Sequence, residues 1–199
     1  MGQRASHRQG FCYRPIDEAL KKRMINKSYK PNADFDLEQL VYAEILHYDF
    51  QCQIKTGELV INRRIADQVL AIFEELLAVK YPIEKMVLID DYNADDDLSM
   101  ADNNSSAFNY RTIAGTNQLS NHAMGLAIDI NPLYNPYIQV REGRTNVFPK
   151  NGSIYTDRKL PNPYYIHKND ICYDLFIKHG FTWGGDWNPS KDYQHFEHK

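Results

Sequence analysis

The chain has 199 residues, 43% hydrophobic and 25% charged, which predicts one globular domain with a real core. Its formal net charge is -3 and its pI is about 6.2, so a basic surface for binding nucleic acid is not expected. No apolar run reaches the roughly 18 residues that a membrane helix needs, and we see no signal-peptide pattern near the start.

The N-terminal part divides into an irregular segment and two predicted helices. Residues 1–33 show no sustained periodicity, and we interpret them as an arm on a domain that spans residues 34–199. From Asp36 to Leu46, apolar side chains recur every three or four residues, which predicts a helix. A stronger helical pattern runs from Ile65 to Leu77, and Asn62 is placed to cap its start.

The remaining elements are short and irregularly spaced. Lys85–Asp90 is a short apolar run that predicts a strand. Asn169–Gly180 predicts a helix closed by glycine. The side chains of this helix that we expect to face inward are Ile171, Leu175 and Phe176. Such a mixture indicates an α+β fold, a single compact domain with a small, mostly antiparallel sheet flanked by helices.

Two loop segments need a separate interpretation. Six aspartates crowd residues 90–102, and the start of this run matches an EF-hand calcium loop. The sixth position is Asp96 where glycine is required, and the twelfth is Asp102 where Glu is expected, so we favour a solvated acidic loop. The proline-containing segment 132–168 shows no clear period, and we place it beside the cleft as a substrate-contacting excursion.

The first stretch with chemistry-bearing residues is Ser120–Asp129, with the sequence SNHAMGLAID. Strand alternation puts Asp129 on the face opposite Leu126, Ile128 and Ile130. Gly125 allows the sharp turn that would bring His122 back over the same face. His122 and Asp129 are therefore expected to converge on one metal ion.

The second stretch is Gly184–Glu197, with the sequence GGDWNPSKDYQHFE. Alternation predicts that His195 points into the cleft while Phe196 anchors the strand in the core. Asp192 lies three residues before His195, so a bend is needed to bring both side chains to one cavity. Glu197 shares the face of His195 and can orient its ring.

Two imidazoles and one carboxylate, from His122, His195 and Asp129, are the ligand set of an open zinc site that keeps a position for water. A carboxylate outside this set can take the proton of that water, and Asp192 is the candidate general base. Arg111 can supply a fixed positive charge to an oxyanion. The three cysteines have no CxxC spacing, so thiolate ligands are not expected.

These motifs resemble the zinc D,D-carboxypeptidase and L-alanyl-D-glutamate endopeptidase family of bacterial cell-wall metallopeptidases. The resemblance rests on SxHxxGxAxD at 120–129, GGDW…DxxHF at 184–196 and Asn109-Tyr-Arg111, so it spans about residues 105–197. It implies a compact fold of the hedgehog/D-Ala-D-Ala peptidase type, a zinc ion, and hydrolysis of peptide bonds in peptidoglycan stems.

The resemblance also implies roles for individual residues. The implied metal ligands are His122, Asp129 and His195. Asp192 would be the general base, Arg111 the oxyanion or substrate contact, and Ser120 a residue that orients the site or binds substrate. Many members that trim terminal D-alanine have Glu as the base, so the aspartate here looks more like the endopeptidase branch found in phage endolysins.

We therefore expect a monomeric zinc metallopeptidase that acts on peptidoglycan stem peptides or muropeptides, outside the cytoplasm or at the cell wall. Trp187, with Trp183, flanks the Gly-Gly step and is a candidate for the cleft wall that contacts substrate. One alternative is a non-catalytic zinc module that binds cell-wall peptides, but such a module has no use for Asp192. A second is a metal-free domain in which these His and Asp residues are structural.

Overall fold

The structure is a computed structural model that describes residues 5–31, 35–113 and 116–199. The described chain forms the helices α1 (Glu18–Met24), α2 (Ala66–Ala78), α3 (Asp96–Ala101) and α4 (Ile171–Lys178). It also forms the strands β1 (Ala5–Arg8), β2 (Phe11–Pro15), β3 (Leu40–Tyr48), β4 (Ile54–Asn62), β5 (Ala127–Asp129), β6 (Tyr137–Arg141), β7 (Arg144–Phe148), β8 (Phe181–Trp183), β9 (Lys191–Asp192) and β10 (His195–His198). The predicted α+β class is confirmed. Across the described ranges, no helix combines the length and apolar character needed to cross a bilayer.

The strands are arranged in small antiparallel sheets. The largest has the order β1-β2-β3-β4, and α2 packs against it through a shared apolar core. The other two have the orders β5-β10-β8 and β7-β6-β9. β5 belongs to the first motif stretch and β10 to the second. Their pairing therefore places the two stretches side by side, although they are distant in sequence.

The helix predicted from Asp36 to Leu46 is wrong, because this segment forms a short 3-10 turn followed by β3. The first four residues of β3 are all buried, which they could be only if both faces of the strand are covered. A strand covered on both faces has no clear alternation, and its apolar positions can imitate helical spacing. Pairing with β4 along the whole strand decides the conformation.

The strand predicted at Lys85–Asp90 does not form in the described chain. Lys85 makes a single bridge to Asn104, and residues 89–92 form a 3-10 turn. Val87 N donates to Asn104 Oδ1 at 2.8 Å, and Asn104 Nδ2 donates to the Val87 carbonyl at 3.0 Å. A buried side-chain amide thus satisfies the backbone groups that a neighbouring strand would otherwise pair.

Replacing Asn104 by Ala is expected to lower the free energy of unfolding by about 2 to 4 kcal/mol, because two backbone groups of Val87 lose their partner. Urea denaturation of the variant and the wild type measures the difference. Asn151→Ala removes an exposed hydrogen bond to the Ala101 carbonyl and is the matched control, with an expected change below about 0.5 kcal/mol. An equal effect of both substitutions would contradict this role of Asn104.

The predictions for α2 and α4 are confirmed. Asn62 Oδ1 accepts a hydrogen bond from Arg64 N at 3.1 Å and caps the 3-10 turn that leads into α2. In α4, Leu175 and Phe176 face inward, but Ile171 is 42% exposed. The third inward position is Cys172, because 172, 175 and 176 lie on one helical stripe whereas 171 lies beside it.

The segment interpreted as an N-terminal arm lies against the domain where it is described. β2 pairs with β3, and Phe11 is buried in the core beneath the sheet. Leu20 and Met24 of α1 pack with Phe108 in a second apolar cluster. The division of the chain into residues 1–33 and 34–199 stays a prediction.

The sheet that carries the motif residues has an apolar back. Phe196 of β10 is fully buried and stacks on Phe176 of α4, with ring centroids 4.1 Å apart. Ile128 of β5 is also fully buried in the same core. Phe196 therefore anchors β10 as the alternation predicted, and its neighbour His195 faces the other way.

Candidate metal centre

A tight turn positions the first histidine. His122 begins a 3-10 turn, in which Ser120 Oγ accepts a hydrogen bond from Ala123 N at 3.1 Å. Gly125 ends the turn in the left-handed region, with φ of 65°, and its backbone leads into β5. A Cβ atom at this position would lie 2.7 Å from Asn62 N, so glycine is required both for conformation and for space.

Three side chains meet above the β5–β10 pair. His122 Nε2 lies 3.1 Å from His195 Nδ1 and 3.3 Å from Asp129 Oδ2. His195 Nδ1 lies 3.1 Å from Asp129 Oδ1. In a tetrahedral zinc site with bonds of about 2.0 to 2.1 Å, ligand atoms are roughly 3.3 Å apart. Among the described residues these three form the group that could hold a metal ion, and their spacing fits zinc.

Each histidine has a second partner that fixes its ring. His122 Nδ1 lies 2.6 Å from the Ala107 carbonyl oxygen. Because a carbonyl oxygen can only accept a hydrogen bond, Nδ1 is the donor. His195 Nε2 lies 3.2 Å from Glu197 Oε2, and Asn121 Nδ2 donates to the same carboxylate oxygen. Both rings therefore direct their remaining nitrogen into the cluster, as metal-binding histidines do.

The buried carboxylate of Asp129 and the ring of His195 stabilise each other's charged form. Burial alone would raise the pKa of Asp129, but attraction to His122 and hydrogen bonds to both histidines hold it well below its usual range. Burial would lower the pKa of His195, but hydrogen bonds to Asp129 and Glu197 raise it to about 10. A raised pKa means that the His195 ring holds a second proton. A divalent cation would compete with that proton for the ring nitrogen that faces the cluster, so metal binding is expected to release the proton.

Asp192 lies in the same cavity as the cluster. It ends β9, and the bend at residues 193–194 separates it from β10. Burial raises the pKa of the Asp192 carboxyl to about 7, and repulsion from Asp129 acts in the same direction. Its Oδ1 atom is buried and has no hydrogen-bond partner among the described residues. This carboxylate is placed to accept a proton inside the cavity.

Arg111 and Ser120 both line the cavity. The guanidinium of Arg111 forms an ion pair with Asp96, which also accepts a hydrogen bond from Asn109 Nδ2 at 2.9 Å. Ser120 N donates to the Arg111 carbonyl at 3.1 Å, so the backbone of the arginine is tied to the turn that carries His122. The partnership of Arg111 with Asp96 was not predicted from the sequence.

The cavity has a volume of about 700 Å³. The Trp187 ring forms part of its wall, and its centroid lies 5.2 Å from that of His195. Trp183 does not line it, because this residue belongs to β8 and packs in the core, where its Nε1 donates to the Tyr193 carbonyl. Of the two tryptophans considered for the cleft wall, only Trp187 is in place.

The excursion at 132–168 lies beside the cavity, as predicted, but it contains regular structure. Its strands β6 and β7 form a hairpin, and the cavity-lining residues of this hairpin are Tyr137, Gln139 and Phe148. Arg158 holds the base of the excursion by donating to the Tyr134 and Ile166 carbonyls. The sequence pattern missed the hairpin because its turn and flanking prolines obscure two short strands.

The segment 90–102 differs from the expected solvated loop, because it contains α3 and most of its carboxylates have partners within the protein. Asp90 is buried against Ser28, Asp91 pairs with Arg23, and Asp102 pairs with Lys85. These contacts attach the loop to the domain. In the part of the chain that the structure describes, the loop contributes no residue to a group that could hold a metal ion.

Comparison with known proteins supports the peptidase class. Residues 114–198 match a family model described as D-alanyl-D-alanine carboxypeptidase. The match covers the three clustered side chains and Asp192, and it begins after Arg111. It confirms the resemblance drawn from the two motif stretches. No curated protein and no solved structure matches the chain.

Proposed function

We propose that the chain is a zinc-dependent metallopeptidase of this peptidase family and that it hydrolyses peptide bonds in bacterial peptidoglycan stem peptides. The observation that carries the proposal is the arrangement of His122, Asp129 and His195, whose facing atoms lie 3.1 to 3.3 Å apart in a cavity that the separate carboxylate of Asp192 also lines. The family match over residues 114–198 supports the peptidase class.

His122, Asp129 and His195 would hold the ion. Zinc with three protein ligands supplies a bound water of lowered pKa and polarises a carbonyl group. Asp192 would take the proton from the attacking water and pass it to the leaving amine. Arg111 would place its positive charge near the carbonyl oxygen as negative charge develops there, and Asp96 would hold it in position.

The remaining expectations follow from the same proposal. The fold would be of the hedgehog/D-Ala-D-Ala peptidase type, and Ser120 and Trp187 would contact the substrate. Because peptidoglycan lies outside the cytoplasm, the protein would act at the cell wall or elsewhere outside the cytoplasm. We expect it to be a monomer. The aspartate at the base position favours cleavage after L-alanine, whereas the description of the matching family names the terminal D-alanine bond.

The test is hydrolysis of the pentapeptide L-Ala-D-Glu-L-Lys-D-Ala-D-Ala, which contains both candidate bonds. We expect the zinc-loaded protein to cut one of them, with the products identified by mass. A chelator should abolish cleavage, and added zinc should restore it. If the protein binds zinc and peptide without cleaving either bond, the non-catalytic binding module is the correct function.

The role of Glu197 gives a second prediction for this site. Glu197→Gln should weaken zinc affinity by about 10- to 100-fold, because the His195 ring loses its charged partner. Competition with a fluorescent zinc chelator measures the change. Glu75→Gln, which removes an exposed carboxylate beside Lys178, should leave the affinity unchanged. Equal zinc affinity in all three proteins would contradict the orienting role of Glu197.

A further inference from the structure

The sheet β7-β6-β9 presents one row of side chains to the cavity. Phe148 of β7 pairs with Tyr137 of β6, and Tyr137 pairs with Asp192 of β9. Directly opposed residues of antiparallel strands project to the same face, with Cβ atoms about 4.5 to 5.5 Å apart. All three side chains line the cavity. The proposed general base is therefore the end member of a row whose other members are aromatic.

The hairpin β6–β7 is fixed relative to β9, the strand that carries Asp192. The Ser190 hydroxyl accepts a hydrogen bond from Val140 N at 3.0 Å, next to the β6–β9 pairing. The rings of Tyr137 and Phe148 pack at 6.2 Å between centroids. Gln139, two residues along β6, lies on the same face and also lines the cavity. The part of the hairpin that faces the cavity thus has no charged side chain.

The position of Asp192 defines which part of a substrate this row would meet. In the proposed reaction, the proton on Asp192 goes to the nitrogen of the leaving amine. The residue attached to that nitrogen must therefore lie near Asp192, and the adjacent surface is formed by Tyr137 and Phe148. Aromatic side chains favour an apolar group at such a surface, because a charge there would lose its water without a partner.

We propose that Tyr137 and Phe148 form the subsite for the leaving residue and that this subsite selects an uncharged, apolar side chain. This selectivity favours the terminal D-Ala-D-Ala bond of the pentapeptide, in contrast to the L-Ala-D-Glu bond that the aspartate at the base position favours. The proposal rests on the proposed function for the direction of proton transfer. Its geometric basis is the row Phe148–Tyr137–Asp192 across three strands. The two aromatic residues are thus specificity-determining residues that come from the excursion.

The experiment uses peptides that differ only in the residue after the bond that is cleaved in the pentapeptide, with alanine, leucine, lysine or glutamate at that position. Hydrolysis by the zinc-loaded wild type gives kcat/KM for each peptide. Binding of the same peptides to zinc-loaded Asp192→Asn protein, measured by calorimetry, gives the preference without turnover. If the wild type leaves the pentapeptide intact, the proposed function fails. In that case the residue after each of the two candidate bonds is varied, and only binding of the peptides is measured.

We expect alanine and leucine to be preferred over lysine and glutamate in hydrolysis and in binding. Phe148→Ala should reduce kcat/KM for the leucine peptide by about tenfold, mainly through KM, with less than a twofold change for the charged peptides. Tyr137→Leu should act in the same direction. Val147→Ala is the matched control, because Val147 lies in the same hairpin on the opposite face and should leave the preference unchanged.

The outcomes separate the proposals. An apolar preference that narrows in Phe148→Ala or Tyr137→Leu but not in Val147→Ala supports the subsite. The subsite is overturned if the four peptides bind equally, if a charged leaving residue is preferred, or if both aromatic variants fold and keep the wild-type preference.

Discussion

Asp192→Asn should retain zinc and lose most hydrolysis, with kcat falling by about 10²- to 10⁴-fold. Asparagine has nearly the same shape as aspartate but cannot accept the proton of the attacking water at neutral pH. Asp192 lies outside the cluster of facing atoms formed by His122, Asp129 and His195. Its replacement therefore removes the proton acceptor and leaves the proposed ligands in place.

Zinc content by elemental analysis and hydrolysis of the pentapeptide are the two measurements for this variant. Asp174→Asn, at an exposed position of α4, makes the same chemical change away from the cavity and should retain activity. Loss of zinc together with activity in Asp192→Asn would make Asp192 a ligand, which would contradict its assignment as the base.

The acid limb of the pH profile should belong to the same residue. Asp192 must be ionised to accept a proton, and burial raises its pKa to about 7. A divalent cation nearby acts in the opposite direction, so kcat/KM is expected to fall with decreasing pH from about pH 7 or below. Residual activity of Asp192→Asn should lack this limb. A limb of unchanged position in the variant would assign it to another group.

The second large effect is expected for His195→Ala. This change removes one of two imidazoles from the cluster and should weaken zinc binding by more than about a hundredfold, with loss of hydrolysis. Zinc stoichiometry after dialysis and activity with excess zinc measure the two effects. His167→Ala, at an exposed position, is the matched control. Full zinc retention in His195→Ala would remove His195 from the ligand set.

Sequence patterns predicted the elements whose signals are local. Both α2 and α4 have helical apolar spacing. Asn62 caps the 3-10 turn that leads into α2, and Asp170 caps α4 directly. Strand β3 was missed because it is covered on both faces, and its conformation depends on pairing with distant β4. The strand predicted at Lys85–Asp90 does not form in the described chain, because the side chain of Asn104 takes the role of a pairing strand.

The candidate site follows the same division. The convergence of His122, Asp129 and His195 was predictable from the sequence, because each lies in a short stretch with strand alternation and a glycine turn. The ion pair of Arg111 with Asp96 and the row formed by Phe148 and Tyr137 were not predictable from local patterns. Both depend on contacts between segments that are distant in sequence, and their residue types are common in ordinary loops and cores.

The pairing of β5 with β10 has a thermodynamic consequence. Asp129 and His195 are opposed in this pair, so the atoms of the proposed metal site come together only when the last strand is docked. An ion that binds the folded chain and not the unfolded one stabilises it by RT ln(1 + [L]/Kd). The melting temperature should therefore rise with free zinc concentration, and the abundance of intact protein would then depend on how much zinc its surroundings supply.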